Sequence, residues 1–209
     1  MPKNDSTPLS RERLLDFVID ELLQKGIKAT TMDSLASALQ MSKRTLYEMF
    51  SSKENLVNLA LQRFHEKFTS KTKDIFDSSD NVMEAMVKSI ECTRNMMNGA
   101  NASFFRDIDD FYKEEKNRCS GRERRYEEIE KLFKKGSEQG VFRKNLDFRV
   151  QCRILMIQME SLKRMEELFP PDISLPDAYD AISTGFLRSI STVKGLEYLE
   201  NMNNLNNEK

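Results

Sequence analysis

Turn-forming residues are scarce in this 209-residue chain: it has seven glycines and five prolines, about half the usual usage. It has no tryptophan and a single histidine, His65. A lone histidine in a helical run (Leu56, Leu59, Ala60, Arg63, Phe64) has no visible partner to orient its tautomer, so it reads as a packing residue. No glycine-rich loop of the dinucleotide or P-loop kind is present, which excludes those nucleotide chemistries. The cysteines Cys92, Cys119 and Cys152 are widely spaced and odd in number. They fit neither a zinc site nor a disulfide framework, so no metal is expected and a reducing cytoplasm is. Apolar runs are short, as in Ile154-Leu155-Met156-Ile157, too short to span a membrane. The polar opening Met1–Ser10 lacks the apolar stretch of a signal peptide. Nor does one sign of charge dominate: 33 basic residues face 34 acidic ones. The carboxylates Asp107, Asp109 and Asp110 read as a solvated face. With no nucleophile–base pair in view, neither an enzyme nor a cofactor is expected.

What the chain does contain is helical periodicity, and no segment alternates as a strand would. The expectation is an all-α fold of about nine helices. Residues 1–9 read as a flexible arm and 202–209 as a loose tail. Leu14, Val18 and Leu22 recur on one helical face, with Ser10 as N-cap and Gly26 closing the helix so that Ile27 packs back on Leu22. Thr31 caps a helix carrying Met32, Leu35, Ala36 and Leu39. Ser42 caps the next, Lys43–Phe50, with Met41 and Leu46 as a hydrophobic staple. Ser52 caps a longer helix from Lys53. Further helices are predicted from Val82 to about Asn98, over Ala102–Tyr112, and in the charged stretch Lys113–Lys135, which carries supportive pairs such as Glu127–Lys131 and Glu130–Lys134 and ends around Gly136–Gly140. Leu146–Leu168, apolar on nearly every side, is expected to be buried centrally until Pro170-Pro171 breaks it. A last helix is predicted over about Asp177–Asn201.

Two short helices joined by a corner of about three residues make a helix-turn-helix candidate. At 100° per residue, Leu46, Met49 and Phe50 share one face of the second helix and would pack on the Leu14–Leu23 helix. Arg44 and Glu48 lie opposite, flanked by Lys43, Thr45 and Tyr47. Arginine can grip guanine with two donors, glutamate can accept from cytosine, and threonine can touch base or phosphate. The helix starts at Thr31 and Ser52 offer backbone N–H groups to phosphate, and Lys53 in the first turn opposes the helix dipole, a placement that makes more sense with a phosphate nearby. The same residues also read as an ordinary solvated face, with Arg44 and Glu48 as an i, i+4 pair.

The run Gly26-Ile27-Lys28-Ala29-Thr30-Thr31-Met32, then Leu35-Ala36, then Ser42 through Leu56 closely resembles the DNA-binding domain of TetR family transcriptional regulators. The resemblance covers roughly residues 10–57. It implies a helix-turn-helix DNA-binding domain there, with Lys43–Met49 as the recognition helix. Arg44 and Thr45 then become base-contact candidates, Tyr47 and Lys53 phosphate contacts, and Thr31 and Ser42 caps that face the DNA backbone. Lys43 suits either role, and Leu46 and Phe50 match packing positions. At Gln40 the sequence departs from the glycine usual in the inter-helix turn. A positive φ there costs a non-glycine residue about 1 kcal/mol.

Residues 58–201 resemble the family's helical regulatory and dimerisation domain. The resemblance implies a cytoplasmic homodimer on a two-fold symmetric operator of double-stranded DNA, a repressor released by a small-molecule effector. It also implies that Leu146–Leu168 and Asp177–Asn201 pair between subunits. The stripe Tyr179, Ile182, Phe186, Ile190 and Val193 would be the seam, or would pack within the chain. A pocket lined from Met83, Met86, Met96, Met97, Phe104, Phe105, Phe111, Tyr112, Met156 and Met159 is compatible with a bulky apolar ligand, although the same residues suit ordinary core. The other reading is a helical ligand-binding or protein-interaction module that does not bind DNA.

Overall fold

The computed structural model describes residues 10–113 and 129–207, with side chains over 10–108 and 129–202. The predicted arm, Cys119 and Glu127 of the pair Glu127–Lys131 lie outside the described residues. Among the described residues there is no strand, only a single antiparallel bridge between Phe142 and Ser191. No helix among them is long and apolar enough to cross a membrane.

Three short helices open the chain: α1 (Arg11–Lys25), α2 (Met32–Ala38) and α3 (Lys43–Met49). Ser10, Thr31 and Ser42 each accept a backbone N–H of the first turn that follows, satisfying donors that helix geometry leaves orphaned. α4 (Lys53–Ser78) starts at the Ser52 cap and runs unbroken for 26 residues. Its first turns bury Leu56, Val57, Ala60 and Leu61 in one core with Leu14, Val18, Leu22, Leu35, Leu46 and Phe50. α5 (Val82–Met97) and α6 (Ala102–Lys113) follow, and Phe104 of α6 completes that same core. α7 is described over 129–138. It leads into a second core in which Phe133 meets Phe142, Phe148 and Phe186.

The two long carboxyl-terminal helices expected from periodicity each divide. Leu146–Leu168 becomes α8 (Phe148–Ser161), a 3₁₀ turn over Leu162–Arg164 and α9 (Met165–Leu168). The tighter turn eclipses side chains three apart, and so turns Leu162 and Met165 together into a third core. Central burial is also corrected: Val150, Ile154 and Ile157 of α8 stand 52%, 44% and 64% exposed. Asp177–Asn201 becomes α10 (Leu175–Ile190) and α11 (Val193–Asn207). The break lies at Ser191-Thr192, where the backbone leaves the helix to pair with 141–143. Arg143 N–H donates to the Ile190 carbonyl at 2.9 Å and Thr192 N–H to that of Val141 at 3.0 Å. The Thr192 hydroxyl donates to the Gly140 carbonyl at 2.7 Å and accepts from Gly195 N–H, a local competition with the helix typical of hydroxyl side chains. α11 then runs through residues expected to be loose, because Leu199 and Met202 join the second core.

The break redirects the predicted seam. Phe186 and Ile190 are buried in the second core, Tyr179 and Ile182 pack on the third, and Val193 sits on another helix, 74% exposed. Four of the five stripe residues thus pack within the chain. The side chains of Phe111 and Tyr112 lie outside the described residues, and the other predicted pocket residues do not share one core. Met83 and Met86 belong to the second core, Met96, Met97 and Met159 to the third, and Phe104 to the first.

Candidate nucleic-acid interface

The presented surface is built by α2, α3 and the start of α4. Thr31 and Ser34 form a reciprocal capping box, each side chain satisfying the other's backbone N–H. Ser42 Oγ accepts from Thr45 N–H at 3.0 Å and lies 2.7 Å from the Thr45 hydroxyl. These contacts fix the first turn of α3. Leu46 and Phe50 have no exposed surface and anchor the helix in the first core. Phe50 also underlies the Arg11 guanidinium, 5.5 Å from the ring centre.

The corner between the helices closes as a Schellman motif. Met41 N–H donates to the Ala36 carbonyl at 3.0 Å and Gln40 N–H to that of Ser37 at 3.1 Å, the paired bonds of that motif. Its left-handed residue is Gln40, with φ +54°, so the turn is kept and the glycine is not.

Sequence-predicted contact residues gather on the outer side. Thr31, Ser42, Lys43, Arg44, Thr45 and Tyr47 are all exposed, and Lys53 is half-buried beside them. Met49, expected to pack with Leu46 and Phe50, is instead 38% exposed; 100° steps place it at the margin of the buried face, where α3 is too short to be covered. Lys53 Nζ approaches the Lys28 carbonyl at 3.5 Å.

Two charge pairs on this surface were only partly visible in the sequence. Lys43 Nζ lies 2.6 Å from Asp33 Oδ1, and that hydrogen bond raises the lysine's pKa above its ordinary value. Arg44 Nε donates to Glu48 Oε1 at 2.8 Å, as the i, i+4 spacing allows. Asp33 gave no such signal, because its partner lies on the next helix.

Behind the surface, α6 grips the corner after α1. Asp107, expected on a solvated face, is 5% exposed. Its Oδ2 accepts Lys28 N–H at 2.9 Å and Oδ1 lies 3.8 Å from Lys28 Nζ. Asn101 N–H donates to the Leu23 carbonyl at 2.7 Å. Gly26 at φ +84° permits this approach, since a Cβ there would land on Ser103 Oγ. Among the described residues, no group of acidic, histidine or cysteine side chains could hold a metal ion.

Residues 15–60 match the family model described as bacterial regulatory proteins, tetR family. The chain is 38% identical over 74 residues to an uncharacterized HTH-type transcriptional regulator, YvaF, of Bacillus subtilis, covering 35% of this chain and 38% of that one. It is 30% identical over 76 residues to the HTH-type transcriptional repressor KstR2 of Mycobacterium tuberculosis, covering 36% and 38%. The matched region is thus less than half the length of these curated relatives. The solved structure of the ketosteroid transcriptional regulator KstR2 of Mycobacterium tuberculosis superposes with a TM-score of 0.62 at 20% identity, covering 90% of this chain and 98% of that one. That likeness extends the shared fold to the carboxyl-terminal helices.

Proposed function

We propose that this chain, through its amino-terminal domain, is a DNA-binding transcriptional regulator of the TetR family. The observation that carries the reading is the division of α3: Leu46 and Phe50 are wholly buried while Arg44, Thr45 and Tyr47 stand exposed. A helix anchored on one side and polar on the other suits the major groove. In this reading residues 10–57 hold the DNA, with Arg44 and Thr45 at base edges, Tyr47 and Lys53 at phosphates, Lys43 at either, and Thr31 and Ser42 facing the backbone. Residues 58–201 form the regulatory part of a cytoplasmic protein.

The regulator acts as a homodimer on a two-fold symmetric operator, because one seven-residue helix reads few base pairs and two-fold symmetry doubles the contacts. The uncovered row Val150, Ile154 and Ile157 on α8 has the i, i+4, i+7 spacing of a helix-pairing face. It takes the place of the seam predicted on α10. Repression is relieved when a small molecule stabilises a dimer whose recognition helices no longer match successive grooves. A tenfold loss of operator affinity requires about 1.4 kcal/mol of preference for that state.

The test is selection of bound sites from random duplex DNA by the purified full chain, read by sequencing. Enrichment of a two-fold symmetric site is the expected result. A folded chain that enriches nothing favours a helical module that does not bind DNA. Thermal-shift screening then finds effectors, since a ligand filling a native pocket raises apparent stability, and each is scored for release of the selected site.

A further inference from the structure

Both cations at the start of α3 are already neutralised within the chain. Lys43 is held by Asp33 at 2.6 Å and Arg44 by Glu48 at 2.8 Å. Phosphate affinity grows with every cation brought to the DNA, so a surface meant only to grip the backbone gains nothing from these carboxylates. Asp33 lies on α2, off the base-facing side of α3. Glu48 lies on that side, 61% exposed and next to an arginine that is 89% exposed.

We propose that Glu48 is a specificity-determining residue that, paired with Arg44, requires a cytosine beside a guanine in each half-site. The inference rests on the DNA-binding reading above. A carboxylate carried into the major groove meets acceptors at guanine N7 and O6 and at thymine O4; adenine sets its N6 donor beside the N7 acceptor, and the cytosine edge alone offers a donor, the N4 amino group, with no acceptor beside it. It is repelled by most sequences and satisfied by cytosine. Arg44 has its Nε committed to Glu48, which leaves the two terminal nitrogens of the guanidinium to grip guanine O6 and N7. The hydrogen bond holds the two side chains side by side, and successive bases on one strand are only ~3.4 Å apart, so the couple addresses neighbouring base pairs. The tether is an exposed i, i+4 pair, so it orients Arg44 without adding much stability.

The experiment repeats the random-duplex selection with the full chain and its variants Glu48→Ala, Glu48→Gln and Asp33→Asn, each first shown to be folded by circular dichroism. For the parent chain, one position in each half-site is cytosine next to guanine. In Glu48→Ala the cytosine preference at that position falls about tenfold while the rest of the site persists, and affinity for random-sequence duplex rises severalfold. Glu48→Gln shifts the position toward adenine, the base a side-chain amide pairs with. Asp33→Asn strengthens binding to all sequences and leaves the base preferences alone. An unchanged preference in Glu48→Ala overturns the inference while leaving the regulator reading intact, and so does the same base change in Asp33→Asn. A parent chain that enriches no site overturns both.

Discussion

Asp107 accepts the backbone N–H of Lys28 at 2.9 Å from 79 positions away in sequence, tying α6 to the corner that leads into the helix-turn-helix. The carboxylate is buried, and a lost hydrogen bond to a buried charged group costs about 1–3 kcal/mol. Asp107→Ala is expected to lower stability by that amount in urea unfolding. Asp107→Asn keeps a carbonyl acceptor and recovers part of it. In the regulator reading, Asp107→Ala also weakens the coupling between effector and DNA, measured as the ratio of operator affinities with and without effector.

Tyr47 and Lys53 are proposed at phosphates, so their loss should act evenly across sequences. Tyr47→Ala and Lys53→Ala are expected to weaken binding to selected and random duplexes alike. For Lys53→Ala the slope of log affinity against log salt falls by about one. Fluorescence anisotropy titrations over about 50–200 mM salt read both quantities. Leu46→Ala should instead cost about 2–5 kcal/mol of stability, because Leu46 is fully buried.

Asp16 is held to a pKa of about 2, below its ordinary 3.8, first by the hydrogen bond from Arg63 and then by Lys67, with burial opposing them. Arg63 Nε donates to Oδ1 at 2.7 Å, joining α1 to α4. A carboxylate whose folded pKa is depressed adds stability above its unfolded pKa and loses it as the pH falls toward the folded value. The contribution is therefore complete at neutral pH and disappears between pH 3.8 and about 2. Solvent screening limits it to about 1 kcal/mol. Asp16→Asn should flatten the melting temperature against pH across that window, as followed by circular dichroism.

The amino-terminal helices were legible because their signals are local. Ser10, Thr31, Ser42 and Ser52 sit three residues before the N–H groups they accept, and Gly26 carries the positive φ its position predicts. The carboxyl-terminal breaks were not legible, because partners distant in sequence decide them. Ser191-Thr192 leaves the helix to bond Val141 and Gly140, and periodicity across Ile190 and Val193 continues as if nothing intervened. Asp107 misled for the same reason: a carboxylate among carboxylates reads as solvated until its acceptor role 79 positions away is known.

Gln40 holds a left-handed turn at φ +54°, where a side chain is strained and glycine is not. Gln40→Gly should raise stability by up to about 1 kcal/mol, and the melting temperature by about 2–4 °C for a chain of this size. The gain is partly offset by the greater freedom of glycine in the unfolded chain. Differential scanning calorimetry measures it.

Ile157 is 64% exposed in a row with Val150 and Ile154, and an apolar row on a helix gains by being covered. At about 25 cal/mol per Å² of apolar surface, a dimer face of the usual ~800 Å² per partner offsets the entropy of association only if such side chains lie at its centre. A charge there would be left unpaired between subunits, a cost of several kcal/mol, yet it would face water in the free chain. Ile157→Glu is therefore expected to give a folded monomer in sedimentation equilibrium, with unchanged helical circular dichroism and much weaker binding to a two-fold site. Its residual affinity should match that for a single half-site. A variant that sediments as a dimer and binds as the parent does would place the subunit contact elsewhere and leave the α8 row without a partner.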